Sequence, residues 1–332
     1  MKFIVTGGAG FIGATLSSYL ASHHHEVIAI DNFNSYYSPE LKNARTEHLF
    51  KGRNIKLIKL DLSDYIKVTD LISKEKPDFV IHLAAQAGVR LTYKDYHLYT
   101  QSNLNGFANI LNASMQNDIP NFIYASSSSV YGSNSTTPYR EDQGNLKPIS
   151  FYGNTKLCNE LLASSASKNS KTKTRGLRLF TVYGPWGRPD MAYFRLVASG
   201  MKSHEFKLFG DGSILRDFTY VEDVTRIVLK LSLELDLRPF GFSDVVNIGG
   251  GSSISMTDVI DTVGKYSPNV LEISFLEKNS NDVAVTEASS KYLSSLIDDL
   301  PKTKFTDGIK ETIQWAERTE NASQLRKWIE SC

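Results

Sequence analysis

Tyr152 and Lys156 stand four residues apart in the string YGNTK, at the start of a segment with helical apolar spacing. That separation puts both side chains on one face of a helix. A tyrosine has an ordinary pKa near ~10, so acting as a base near pH 7 requires a shift of about 3 units, or roughly 4 kcal/mol. A neighbouring ammonium supplies part of that shift by favouring the phenolate. In a chain with 16 tyrosines such a pair also arises by chance, and its weight comes from its company. The run Ser126-Ser127-Ser128-Ser129 ends an apolar segment earlier in the same half. A hydroxyl there is placed to hydrogen-bond a reacting oxygen while the tyrosine moves its proton.

A second cluster sits at the start of the chain. TGGAGFIG, from Thr6 to Gly13, follows an apolar run and opens a helical pattern. Gly8, Gly10 and Gly13 match the dinucleotide-binding G-x-G-x-x-G spacing, and Gly7, Gly10 and Gly13 match a G-x-x-G-x-x-G. Glycines in this context permit a tight turn and close approach of the backbone to a pyrophosphate, which the helix N-terminus attracts. Asp31 ends the next apolar run about twenty residues on, where a carboxylate accepts both ribose hydroxyls. It would repel a 2′-phosphate, and Asn32 rather than an arginine follows, so NAD is expected in preference to NADP. Asp61, after the third apolar run, either reaches the adenine edge or caps the following helix.

These residues need a frame. Short apolar strands read at Lys2–Thr6, Glu26–Ile30, Ile55–Leu60, Phe79–Leu83, Asn121–Ala125 and Thr174–Phe180, with amphipathic segments near Gly10–Ser22, Pro39–Phe50, Tyr65–Lys74 and Asn103–Gln116, and a further helix from about Tyr152. All-apolar strands alternating with helices predict an α/β fold: a doubly wound, Rossmann-type parallel sheet covered on both faces. Ligands of such sheets bind at the carboxyl ends of the strands, where the serine run falls. After Gly184 the rhythm breaks at Pro185, Gly187, Pro189, Gly210 and Gly212, and strands are expected to be rare. The division expected is a dinucleotide-binding domain over 1–184, to which later segments return, and a smaller α/β substrate lobe over 185–332.

The 332 residues carry a formal net charge of +1 and no block of like charge, so nothing favours a nucleic-acid or membrane partner. No apolar run approaches a membrane span, none at the start reads as a signal peptide, and the two cysteines, Cys158 and Cys332, lie far apart. A cytoplasmic protein is expected. His23, His24 and His25 fall between a helical pattern and a strand and read as a solvated turn rather than a metal site; no metal is expected.

Beyond these two clusters, TGGAGFIG, DNFNSYY (31–37), HLAAQAGVR (82–90), YASSSSVYG (124–132), YGNTK, RLFTVYGPWGRPDMA (178–192) and LRDFTYVEDV (215–224) occur in an order and spacing that resemble the extended short-chain dehydrogenase/reductases, and within them the nucleotide-sugar epimerases. AQAGVR with TVYGPWGRPDM is most similar to the branch that interconverts UDP-glucuronate and UDP-galacturonate at C4. The related dehydratases have an acidic pair where this chain has Ser128 and Ser129, and the decarboxylases differ over AAQAGVR. Within the class the alternatives are another UDP-hexose or N-acetylhexosamine 4-epimerase, or a UDP-uronate decarboxylase; from another class, a non-catalytic NAD-sensing protein on the same fold, against which the intact trio argues.

The resemblance implies a catalytic set of Ser127, Tyr152 and Lys156. It implies a cofactor set of Gly7, Gly10, Phe11, Ile12, Gly13, Asp31, Asn32, Asp61, Leu62, Leu83, Ala84 and Ala85, joined by Tyr152 and Lys156. On the UDP-sugar it places Ser127, Ser128, Thr181 and Arg188 near the sugar and its carboxylate, Arg216 at the phosphates, Asp282 at the uridine ribose, and Arg90 facing the substrate. Where the family reads QPGDV, this chain has Asn279-Ser280-Asn281-Asp282-Val283, and the family aspartate a few residues on falls at Ser289. A homodimer joined through the helices near Asn103–Gln116 and Tyr152–Lys168 is also implied.

Overall fold

The computed structural model describes residues 1–88, 91–133, 135–202, 205–277 and 283–331. Twelve strands occur among them: β1 Lys2–Thr6, β2 Glu26–Asp31, β3 Ile55–Lys59, β4 Phe79–His82, β5 Asn121–Ser127, β6 Lys173–Leu179, β7 Thr181–Tyr183, β8 Phe206–Phe209, β9 Leu215–Tyr220, β10 Ser243–Ile248, β11 Ser253–Ser255 and β12 Ile273–Leu276. Seven form one sheet in the order β10-β6-β5-β4-β1-β2-β3, with every pair parallel. The chain runs outward from β1 to β3, then crosses to β4 on the other side. This reversal opens a crevice at the carboxyl ends of β1 and β4, the position where doubly wound sheets take their ligands.

Alternation along β1 explains the two-sided cover. Phe3 and Val5 join one apolar cluster with Leu16 and Leu20 of the helix Phe11–Ser22 and with Val224 and Ile227 of the helix Val221–Asp236. Ile4 joins the other, with Val68 and Ile72 of Tyr65–Glu75 and Phe107 and Ile110 of Gly106–Gln116. Burying a side chain of this size contributes about 1.5–3 kcal/mol each.

The expectation of few strands after Gly184 is corrected. Five follow it, and β10 completes the main sheet beside β6. They escaped notice because they are short and interrupted by polar residues: β9 reads LRDFTY, with Asp217 fully buried inside it. A three-stranded sheet β11-β9-β7 and the pair β12-β8 build the smaller lobe. Its core is aromatic, with Tyr183, Trp186, Tyr193, Phe194, Trp315 and Trp328, and it also takes in Tyr37 and Leu41 from the first half. His23 to His25 form the mostly exposed turn between Phe11–Ser22 and β2. Among the described residues no helix is long and apolar enough to cross a membrane.

Candidate active site

The carboxyl ends of the strands and the smaller lobe enclose one cleft of ≈ 1270 Å³. It is larger than the space a single drug-sized ligand usually occupies. On the first-half side Gly7, Gly10, Phe11, Ile12, Gly13, Asp31, Asn32, Asp61, Leu62, Leu83, Ala84 and Ala85 all line it. So do Ser127, Ser128, Tyr152, Lys156, Thr181, Arg188 and Arg216. Arg90 and Asp282 lie outside the described residues.

The glycine turn is built for an anion. The helix Phe11–Ser22 starts at Gly10 with no side-chain cap and no acidic residue in its first turn, which leaves its first N–H groups and its positive dipole end free for a ligand. A Cβ on Gly13 would stand 2.1 Å from the Gly7 carbonyl oxygen, so only glycine lets helix and turn close this tightly. Asp31 stands beside the turn: its carboxylate accepts from the Ala9 N–H at 3.1 Å and the Phe33 N–H at 2.8 Å. The turn and acid together fit a dinucleotide. Asp61 accepts from Asn32 Nδ2 at 2.9 Å and from the Ser63 N–H at 2.8 Å. It does not cap the next helix; Asp64 does, accepting from the Lys67 N–H. Lys42, which sequence reasoning missed, lines the same wall with its ammonium 3.7 Å from Asp31 and 3.0 Å from the Asn34 carbonyl oxygen.

The trio meets where β5 ends. Ser127 is the last residue of β5, and Tyr152 and Lys156 lie on the helix Phe151–Ser167. Ser150 caps that helix through the Gly153 N–H at 3.0 Å. A Cβ on Gly153 would lie 2.7 Å from the Ser129 carbonyl oxygen, so glycine there lets the helix press against the serine turn. Lys156 is buried and donates to the Ala125 carbonyl oxygen at 2.9 Å, with its ammonium 5.8 Å from the centre of the Tyr152 ring. Burial alone pulls its pKa down to about 8. Burial pushes the Tyr152 phenol up, and the Arg188 charge and a hydrogen bond with Ser127 act against that. Of the serine run, Ser126 turns to Glu160, which Arg178 grips at 2.9 and 2.8 Å; Ser127, Ser128 and Ser129 line the cleft.

On the opposite wall, Arg188 and Arg216 both line the cleft and both have partners within the chain. Arg188 faces the cleft, but its guanidinium is held by Asp190, with Nε 3.0 Å from Oδ1, and the Tyr36 hydroxyl donates to Asp190 at 3.4 Å. It is therefore not a bare cation awaiting a carboxylate. Arg216 donates to the carbonyl oxygens of Leu215 at 2.9 Å and Val283 at 2.7 Å. Asp217 accepts from the N–H groups of Gly250, Gly251 and Ala288, and its burial raises its pKa to about 6. Asn103, also missed, donates from Nδ2 to the Gln86 carbonyl at 3.0 Å and to Thr155 Oγ1 at 3.1 Å, one residue before Lys156. It sits in a π-helical stretch, Thr100–Asn105, a local irregularity that apolar periodicity does not reveal.

Known proteins are similar to this chain in sequence and fold. The family described as the NAD dependent epimerase/dehydratase family matches residues 3–249. Protein CapI of Staphylococcus aureus is 36% identical over 328 residues, covering 95% of this chain and 98% of its own. A UDP-glucuronate 4-epimerase of Thermodesulfobacterium geofontis is 33% identical over 315 residues, covering 95% of both. Among solved structures, the UDP-glucuronic acid 4-epimerase from Bacillus cereus in complex with UDP-glucuronic acid and NAD aligns with a TM-score of 0.87 at 33% identity, over 98% of this chain and 100% of its own.

Proposed function

Because this chain belongs to the NAD-dependent epimerase/dehydratase family, we propose that it interconverts UDP-glucuronate and UDP-galacturonate by epimerisation at C4. By its relatives and fold the chain is an NAD-dependent UDP-sugar 4-epimerase. The observation that carries the finer reading is the hydroxyl wall of Ser127, Ser128 and Thr181 around Tyr152, which suits an anionic sugar better than the acidic pair of the dehydratases.

The residues around the glycine turn and Asp31 would hold NAD, which when bound would supply the acceptor and later the donor of the C4 hydride, by way of a 4-keto sugar. The residues of the chain handle the proton and the pose. Tyr152 as phenolate takes the C4 hydroxyl proton, with Lys156 and the positive cofactor favouring its charged form. Ser127 hydrogen-bonds the reacting oxygen. The sugar turns about its link to UDP, which Arg216 would hold by the phosphates, and presents its other face. Tyr152 then returns the proton as the hydride returns to C4. A 4-keto uronate is a β-keto acid and loses carbon dioxide when the carboxylate bond aligns with the ketone π system. Contacts from Ser128 and Thr181 would hold it off that alignment.

A homodimer follows from the same reading. On the helix Phe151–Ser167, Leu161 is 64% exposed and Leu162 44%, a face that a second copy would cover; light scattering after gel filtration tests it. A cytoplasmic setting suits the free, exposed thiol of Cys158. Incubating purified protein with UDP-glucuronate and no added NAD tests the assignment. UDP-galacturonate should appear. A UDP-pentose as main product would make the protein a decarboxylase, equal turnover of UDP-glucose would leave only the broader 4-epimerase reading, and bound NAD with no turnover would favour a sensor.

A further inference from the structure

Arg45 lies on the helix Pro39–Phe50, in neither the glycine turn nor the catalytic trio, and is fully buried. All the hydrogen bonds that the structure gives its guanidinium go to neutral oxygens. Nη1 donates to the Ala9 carbonyl at 2.6 Å and to the Tyr37 hydroxyl at 3.0 Å. Nε and Nη2 donate to the Trp186 carbonyl at 3.0 and 2.7 Å, and Nη2 also reaches the Gly187 carbonyl at 3.3 Å. No carboxylate of the described residues pairs with it. A buried charge without a counter-charge is costly, and the one anion-binding device beside it is the glycine turn whose Ala9 carbonyl it holds.

The other end of the fork grips a strained point. Trp186 has φ +62°, in the left-handed region that a large side chain disfavours. Two residues further on is Arg188, which faces the sugar side of the cleft and acts on Tyr152 through its charge. One side chain therefore touches both the turn that would hold the cofactor pyrophosphate and the turn that delivers Arg188.

We propose that Arg45 is a positioning residue that couples the two: the cofactor pyrophosphate supplies its missing counter-charge, and the guanidinium in turn fixes the Trp186–Gly187 turn and with it Arg188. NAD bound at Gly7–Gly13 thus orders the sugar wall before substrate arrives. The inference rests on the family's cofactor and is indifferent to which UDP-sugar is taken, so its cofactor readouts stand or fall apart from the uronate assignment.

The test uses the full chain with Arg45→Lys, which keeps the charge but not the fork, and Arg45→Met. Three readouts apply: NAD retained per chain after gel filtration, hydrogen exchange of the Trp186–Met191 amides at saturating NAD, and steady-state kinetics at saturating NAD. Both variants should bind NAD about tenfold or more weakly, with Arg45→Lys the milder. At saturating NAD their Trp186–Met191 amides should still exchange faster than those of the native chain. KM for the UDP-sugar should rise severalfold while kcat stays within about threefold. A merely structural role would lower the melting temperature and leave KM and the exchange pattern of the folded fraction unchanged. Folded variants that retain NAD normally overturn the proposal, as do variants that lose NAD while Trp186–Met191 stays protected. If neither variant folds, the native chain decides: adding NAD to stripped protein must slow exchange at Trp186–Met191, and unchanged exchange there overturns it.

Discussion

The Lys156 ammonium donates to the Ala125 carbonyl oxygen and sits 5.8 Å from the centre of the Tyr152 ring, one helical turn away. The cation is thus fixed by β5 and shared with the phenol rather than consumed by a carboxylate. Tyr152→Phe keeps the ring and removes the proton carrier; turnover should fall about a hundredfold or more while UDP-sugar binding, measured by calorimetry, largely survives. Near-native turnover would remove Tyr152 from the mechanism. Lys156→Met takes away the charge that favours the phenolate, so the acidic limb of the kcat/KM profile should move to higher pH.

Asp31 accepts from the Ala9 and Phe33 N–H groups and so shapes the glycine turn; the proposed contact with the cofactor ribose has its own test. Asp31→Ala should weaken NAD binding by about 1.5–3 kcal/mol, roughly 10- to 150-fold. Equilibrium titration checks it, and an unchanged affinity contradicts the assignment.

Asp190 neutralises Arg188 before any sugar arrives. If Arg188 serves the uronate, Asp190→Asn should strengthen its pull on the carboxylate and lower KM for UDP-glucuronate relative to UDP-glucose. If Arg188 only shapes the wall, both KM values should rise together. Thr181→Val, which keeps shape without the hydroxyl, should lower the uronate preference and raise the pentose by-product, followed by NMR.

His82 is buried beneath the site, with Nδ1 2.8 Å from Thr6 Oγ1, and burial, with Lys156 nearby, lowers its pKa to about 3. Its folded value lies below the ordinary 6.5, so its neutral form contributes fully above pH 6.5, and that stability is lost as pH falls toward 3. At full extent this is of order ~5 kcal/mol. Urea unfolding at pH 7, 5.5 and 4 should show a steeper loss for the native chain than for His82→Gln. Parallel curves would mean that His82 protonates freely in the folded state.

The first half of this fold was legible because strands such as β1, β4 and β5 are short, largely apolar runs separated by helical segments, and because the glycine turn must be glycine: a Cβ on Gly13 collides with Gly7. Asp31, Ser127, Tyr152 and Lys156 were legible as types at meaningful spacings. β10 was not, since its SDVVNI opens with polar residues and reads as a loop between helices. Nor was the Arg188–Asp190 pair, because two oppositely charged residues two apart in a loop can face each other or diverge. Arg45 was hidden for a further reason. On a helix an arginine reads as solvated, and only the packing of Pro39–Phe50 against the smaller lobe buries it.

Oxidation and reduction of C4 within one cofactor-bound cycle would leave an isotope signature that UDP-glucuronate deuterated at C4 reveals. The protein is incubated with the labelled sugar, without added NAD, and both sugars are examined by NMR and mass spectrometry. UDP-galacturonate should keep its deuterium at C4 and form more slowly than from unlabelled substrate, with none of the label in solvent. Epimer whose C4 deuterium has been replaced by solvent hydrogen, or no epimer at all, would contradict such a cycle.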